Sequence, residues 1–409
     1  MSSGNDEQNE NGDRKKRISS VRISPDNAQV LAQLGHLADL AGTWEGEGFN
    51  LIARPNFHDK ANLYLQLNQT REVLKVDPIG SPIPNRGFGQ DDIELFGLTY
   101  LDKIQAVSAD VGCRGALHIE PGIWVTQPTT SYPPETASLP GTAPGAQLIA
   151  RMATIPHGNA VLAQGIAERY DGPPTLKAAS EEYAFSRFPS FNSTPFATLP
   201  LAPPVISAAG SSEKNTATTG GVPPFNEYDL SVPDGPGNPR TPFGTPCPPL
   251  PADIDGVSMQ DLINDPIKLL QRVITKQVAN GHTFETTVLN VATQAKITFF
   301  KDPDQTIKAG GPTGPTVDVI LPDFAGGIEN MIFLEGGEPV GPKGPNADTA
   351  LVYATFWIER VKHKHQPSFM QLQYAQMVIL NFPIFTALPT VIPLGWPHIT
   401  VATLLKTFN

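Results

Sequence analysis

The 409-residue chain is 40% hydrophobic and only 17% charged, which excludes a disordered polyelectrolyte and points to a folded protein. Its net charge of -11 and pI of about 5.2 exclude a general nucleic-acid binder, because no basic surface is there to neutralise phosphates. The 42 prolines and 36 glycines gather between alternating apolar runs, a pattern of all-β proteins with long, stiff loops.

Residues 1–22 are polar, carry the one basic cluster Arg14-Lys15-Lys16-Arg17, and read as a disordered tail. No apolar signal segment follows the first residues, and no run of about 18 apolar residues occurs, so a cytoplasmic protein without a membrane span is expected. Cys113 and Cys247 stand in unlike contexts and can form at most one disulfide; neither belongs to a metal-spaced pair. Ser24-Pro25-Asp26 is a helix start, and Val30, Leu31, Leu34, Leu37 and Leu40 then recur at helical spacing. That apolar stripe should lie on or plug a barrel.

Residues 40–49 (LAGTWEGEGF) open a strand in which Trp44 stands among glycines that allow tight curvature. Leu63 to Val76 alternates as a long strand with Gln69 and Glu72 at its centre, and Gln147 to Gly165 reads as a hairpin turning at Pro156-His157-Gly158. Residues 23–171 thus form a first β half or domain. Residues 172–256 are rich in Pro, Gly and Ser and cannot make central strands, because proline removes ladder donors; they are an insertion over the barrel or a linker. Residues 257–409 begin with one helix from about Ser258 to Gly281. Seven strand candidates follow: 284–293, 296–300, 317–321, 331–334, 351–361, 369–382 and 398–406. Two packings are open: one enlarged antiparallel barrel, slightly favoured, or two barrels in tandem.

The last strand, Trp396 to Lys406, puts His398, Thr400, Ala402 and Leu404 on one face and Ile399, Val401, Thr403 and Leu405 on the other. An inward His398 is a neutral nitrogen ligand with small neighbours beside it, the arrangement a haem iron needs; the alternative is a hydrogen-bonded rim histidine. His363 and His365 share a face but lie at a turn among lysines, where a solvated loop is the better reading. Trp357 and Tyr374 read as core before cofactor wall. No Gly-x-Ser-x-Gly elbow, phosphate-cradling glycine loop or EF-hand spacing occurs.

Several of these segments together resemble the nitrobindin family of haem-binding barrels, within the calycin group. They are Gly-Thr-Trp-x-Gly-x-Gly at residues 42–48, the His118-Ile119-Glu120-Pro121-Gly122 strand, the hairpin ending in Gly165, and Pro397-His398-Ile399-Thr400-Val401-Ala402 with one residue more than the family pattern. The resemblance covers about 150 of the 409 residues, mostly near the two ends. It implies an all-β, calycin-like barrel binding haem b, with His398 as metal ligand and His118 as a second cavity histidine. His118, Trp44, Thr400 and His157 would line the cofactor, and His118 and Glu120 would be the reactive pair. His118 could equally be a hydrogen-bonded core histidine, and Glu120 could pair elsewhere. An extra residue before Ala402 raises the alternative that the His398 ring turns to the other face. The expected activity is reaction with peroxynitrite, NO or peroxide at a His-ligated iron, peroxidase- or isomerase-like if enzymatic. A metal-free carrier of a lipid, terpenoid or aromatic molecule is the alternative, and a structural or assembly module, including a homo-oligomer, is the third.

Overall fold

In a computed structural model the described residues are 27–56, 61–85, 93–107, 116–127, 147–155, 159–176, 205–206, 251–293, 296–301, 307–308, 316–320, 348–349, 351–384 and 392–407. The tail at 1–22, His157, Cys113, Cys247, the strand expected at 331–334 and nearly all of 177–250 lie outside them.

Ten strands close into a single antiparallel barrel. In chain order they are β1 Gly42–Asn56, β2 Ala61–Pro78, β3 Gly97–Ala106, β4 Ala116–Gln127, β5 Gln147–Ile155, β6 Asn159–Asp171, β7 Thr283–Ala292, β8 Leu351–His363, β9 Gln366–Ile384 and β10 Ile392–Thr407. Each pairs with its successor, β6 pairs with β7, and β10 returns to β1. The architecture is therefore an all-β, calycin-like up-and-down barrel. Six strands precede the Pro-rich stretch and four follow it, so the enlarged single barrel holds and the tandem arrangement does not. Strands Lys296–Lys301 and Thr316–Ile320 were expected in the second half but pair in a separate small sheet.

The helix Asn27–Leu34 (α1) and the 3₁₀ turn Gly35–Leu40 plug one end, called the lower end below. Leu34, Leu37 and Leu40 are at most 1% exposed and share one cluster with Trp44, Trp124 and Phe356 from the barrel interior. Trp44 Nε1 donates to Leu40 O at 2.8 Å, and Gln147 of β5 ties the helix end down by accepting from His36 N–H at 2.8 Å and donating to Leu34 O at 3.2 Å. Gly35 makes that tie possible: its φ is 57°, and a Cβ would lie 2.7 Å from Gln147 Oε1.

The single helix expected over 258–281 is two helices, α2 Met259–Asn264 and α3 Ile267–Ala279. The break has a cause: Asp265 precedes Pro266 and is driven out of helical geometry, to φ -157° and ψ 86°. Ser258 caps α2, accepting from Asp261 N–H at 3.1 Å. These helices cover an apolar patch on the outer wall made by Phe49, Leu51, Leu67, Trp357, Ala375 and Val401. Trp357 is thus outer core, whereas Tyr374, of opposite parity, faces the bore. Among the described residues no helix is long and apolar enough to cross a membrane.

Near the patch one acid is misplaced. Glu359 of β8, flanked in the sheet by Thr286 and Gln371, is 0% exposed, and neither of its carboxyl oxygens has a hydrogen-bond partner. Burial pushes its pKa well above 4.5, with the neighbouring Gln371 opposing only in part, so its cost to folding is least in acid and grows as pH rises. Glu359→Gln should stabilise the protein by about 1–3 kcal/mol at pH 8 and by much less at pH 4. Denaturant unfolding at the two pH values measures this, and an advantage independent of pH would contradict it.

Candidate functional site

Strand register settles which side chains enter the bore. His398 pairs laterally with Ile52 and Val378, and it shares parity with Ala402 and Leu404, which belong to the interior cluster. The extra residue in the closing strand therefore does not turn the ring outward. His398 is half-buried and its Nε2 is screened from solvent. On β4 the inward positions are His118, Glu120, Gly122 and Trp124, with Glu120 at 0% and Trp124 at 3% exposure. Trp44 is 0% exposed and lies in the packed lower half, away from both histidines. Thr400 lies beside His398 on the same face and accepts from Asn50 Nδ2 at 2.7 Å.

The two halves of the bore differ. The lower half is packed: Leu40, Trp44, Leu74, Tyr100, Trp124, Phe356, Tyr374 and Leu404 form one buried cluster. Phe356 stacks on Tyr374 with centroids 5.3 Å apart, and Trp124 meets Phe356 edge-on at 5.3 Å. The upper half is lined at its described inward positions by the amides and hydroxyls of Asn50, Gln66, Asn68, Thr70 and Thr400 and by the aliphatic side chains of Ile52, Ile104, Ala106, Ile155, Val161, Val352 and Val378, in place of the rings below. Asn68 Nδ2 donates to Asn50 Oδ1 at 3.3 Å, continuing the amide row that ends on Thr400.

Between the halves lies a belt of buried charge of which the sequence reading had assigned a role to Glu120 alone. Arg151 of β5 donates through Nε to Tyr100 Oη at 2.9 Å and through its terminal nitrogens to Glu120 and Gln376. Tyr100 Oη in turn donates to Glu120, and Tyr374 Oη donates to Glu72 Oε2 at 2.6 Å. The guanidinium also lies 5.3–5.6 Å from the ring centroids of Tyr100, Trp124 and Phe356. A cavity of only about 20 Å³ remains among these groups, room for a single water.

The belt sorts its acids by environment. Burial pushes Glu120 up, but the Arg151 charge and hydrogen bonds from His118 and Tyr100 overcome it and hold the carboxyl at about 2. Burial carries Glu72 up to about 7, and Tyr374 opposes this only in part. Asp102, 9% exposed, is raised by burial and then by the charges of Glu72 and Glu120. Glu72 Oε1 and Asp102 Oδ1 have no protein partner, so a proton held by this pair, or a water beside it, is what these oxygens lack.

The belt also fixes His118. Glu120 is a carboxylate and can only accept, so His118 Nε2 donates the 3.1 Å hydrogen bond between them. The expected pairing of His118 with Glu120 is therefore present in the geometry. His118 lies two residues above Glu120, and His398 lies two above Thr400, the lateral partner of Gln376. Since Gln376 and Glu120 meet on Arg151, both histidines stand one step above the same belt. Their strands are four apart round one side of the barrel and six round the other, so they occupy facing walls.

Arg151 had left a signal in the sequence. It is the one charge in the apolar strand Gln147–Ile155, at an inward position of the alternation. Glu72, Tyr100 and Asp102 share that parity in their strands, but their convergence depends on barrel closure, which no local pattern carries. Among the described residues no group of three or more His, Cys, Asp or Glu is arranged to hold a bare metal ion. No family model matches the chain, and neither a curated protein nor a solved structure matches it.

Proposed function

We propose that the chain binds haem in the upper half of its barrel, with His398 as the iron ligand and His118 on the facing wall, and that it acts on a small oxidant such as NO, peroxide or peroxynitrite. The observation that carries this reading is the placement of two inward histidines on opposite walls, above a charge-locked floor. The donor set fits the group: a neutral imidazole is an iron ligand in its own right and needs no second protein ligand. Haem held by His398 would supply the redox chemistry.

This chain's residues supply the rest. Glu120 accepts a hydrogen bond from His118 Nε2, which places the neutral ring's proton on that nitrogen. Arg151 and Tyr100 hold Glu120 in place, so the tautomer is set from below. The packed lower half keeps water from entering through the α1 end. The aliphatic inward positions Ile104, Ile155, Val161, Val352 and Val378 favour a second reading, a metal-free carrier of an apolar molecule.

Titrating the purified chain with hemin tests the proposal. A Soret band that saturates at one hemin per chain is expected. Tight uptake of an apolar dye, with hemin giving only the spectrum of free hemin, would favour the carrier instead.

A further inference from the structure

We infer that the lower mouth of the barrel, at the end away from the two histidines, is a second binding site for a small organic anion bearing a carboxylate or phosphate, anchored by Lys406. A cavity of about 570 Å³ opens there between the 3₁₀ turn and the rims of β1, β2, β8, β9 and β10. Small-molecule pockets run from about 300 to 1,000 Å³, so a metabolite-sized ligand fits. The packed lower core separates this mouth from the upper half, so the inference stands apart from haem binding.

The charged side chains lining it are Asp39, Lys75, Asp77, Arg360 and Lys406. The two acids are already engaged. Asp39 accepts from Arg169 and from Thr287 Oγ1, the latter at 2.8 Å, and Asp77 pairs with Lys75 at 3.2 Å. The remaining cations are poorly answered. Arg360 reaches Glu285 only at 3.8 Å, and that carboxylate has Lys362 closer, at 3.2 Å. Among the described residues no carboxylate forms an ion pair with Lys406. Its Nζ lies 3.5 Å from Asp39 O and 5.1 Å from the Trp44 ring centroid. Two cations thus face the cavity, Lys406 without a carboxylate partner among the described residues and Arg360 with only a long, shared one.

The lysine is also built in rather than loosely attached. Gly42, at φ 129°, leaves the space its stem occupies: a Cβ there would lie 2.4 Å from Lys406 Cε. Trp44 backs the ammonium from the core side. Burial lowers the Lys406 pKa from 10.5, the Asp39 charge opposes that, and Arg360 adds to it, as befits a cation short of a counter-charge.

Isothermal titration with inorganic phosphate, phenyl phosphate and glutarate tests the site and separates its two ligand chemistries. At least one should bind saturably, and more weakly as salt is added. Lys406→Met keeps the stem and should weaken that ligand by about tenfold or more, and Arg360→Gln should weaken it too. Lys103→Met, on the exposed outer wall, should leave it unchanged. Unaltered circular dichroism shows that the variants fold. Absence of binding by all three probes, or binding that survives Lys406→Met, overturns the inference.

Discussion

Arg151→Met should destabilise the protein by about 3–5 kcal/mol at pH 7, among the largest effects expected of any single substitution here. The guanidinium is 4% exposed and holds Glu120, Tyr100 and Gln376 at once. Methionine fills much of the stem's volume, so little of the loss comes from an empty cavity. What remains is a fully buried carboxylate with its counter-charge removed, and that is the costly half of a broken buried pair.

The pH dependence should change with it. In the native protein the Glu120 pKa of about 2 lies below its ordinary 4.5, so its contribution is present above pH 4.5 and is lost as pH falls towards 2. Glu72, raised from 4.5 to about 7, has the opposite sign: stability declines as pH rises through that window. The belt by itself therefore favours folding most near pH 4.5. Without Arg151, burial dominates Glu120 and its pKa moves above 4.5, so acid from neutral pH should now stabilise the variant through both groups. Urea unfolding from pH 3 to pH 8 measures the slopes. A variant within 1 kcal/mol of the native protein, or one with the same acid limb, would contradict this account of the belt.

Much of the barrel was legible in the chain because its strands alternate. The long strands β2 and β10 were marked by period-two patterning, β5 and β6 by a hairpin turn and β4 by a family-like motif, and Leu34, Leu37 and Leu40 announced a helix that needed an apolar partner. What local pattern could not supply was the pairing of β6 with β7 across the Pro-rich stretch, since only that long-range pairing decides between one barrel and two. The helix break at Asp265-Pro266 was written in the sequence and overridden there by the apolar periodicity running through it. At the site, His118, Glu120 and His398 could be singled out by motif. Arg151 could have been found as the one charge in an apolar strand, but Tyr100, Asp102 and Tyr374 look ordinary in theirs, and the four come together only by closure.

The second large effect concerns the ligand. His398→Ala should lower hemin affinity by about a hundredfold or more, since it removes the one bond the protein is proposed to make to the metal, whereas second-layer changes typically cost 10–100-fold. The side chain is half-buried near the upper rim, so the substitution should leave the unfolding midpoint nearly unchanged. His118→Ala should keep the hemin bound but alter how it reacts with peroxide, because that ring is placed on the facing wall.

The most direct measurement is a hemin titration of His398→Ala with and without added imidazole, read at the Soret band. Loss of the band in the variant, and its return when free imidazole takes the place of the missing ring, is the predicted result. A native spectrum in His398→Ala, or no specific band in the unaltered chain at equimolar hemin, would contradict the assignment.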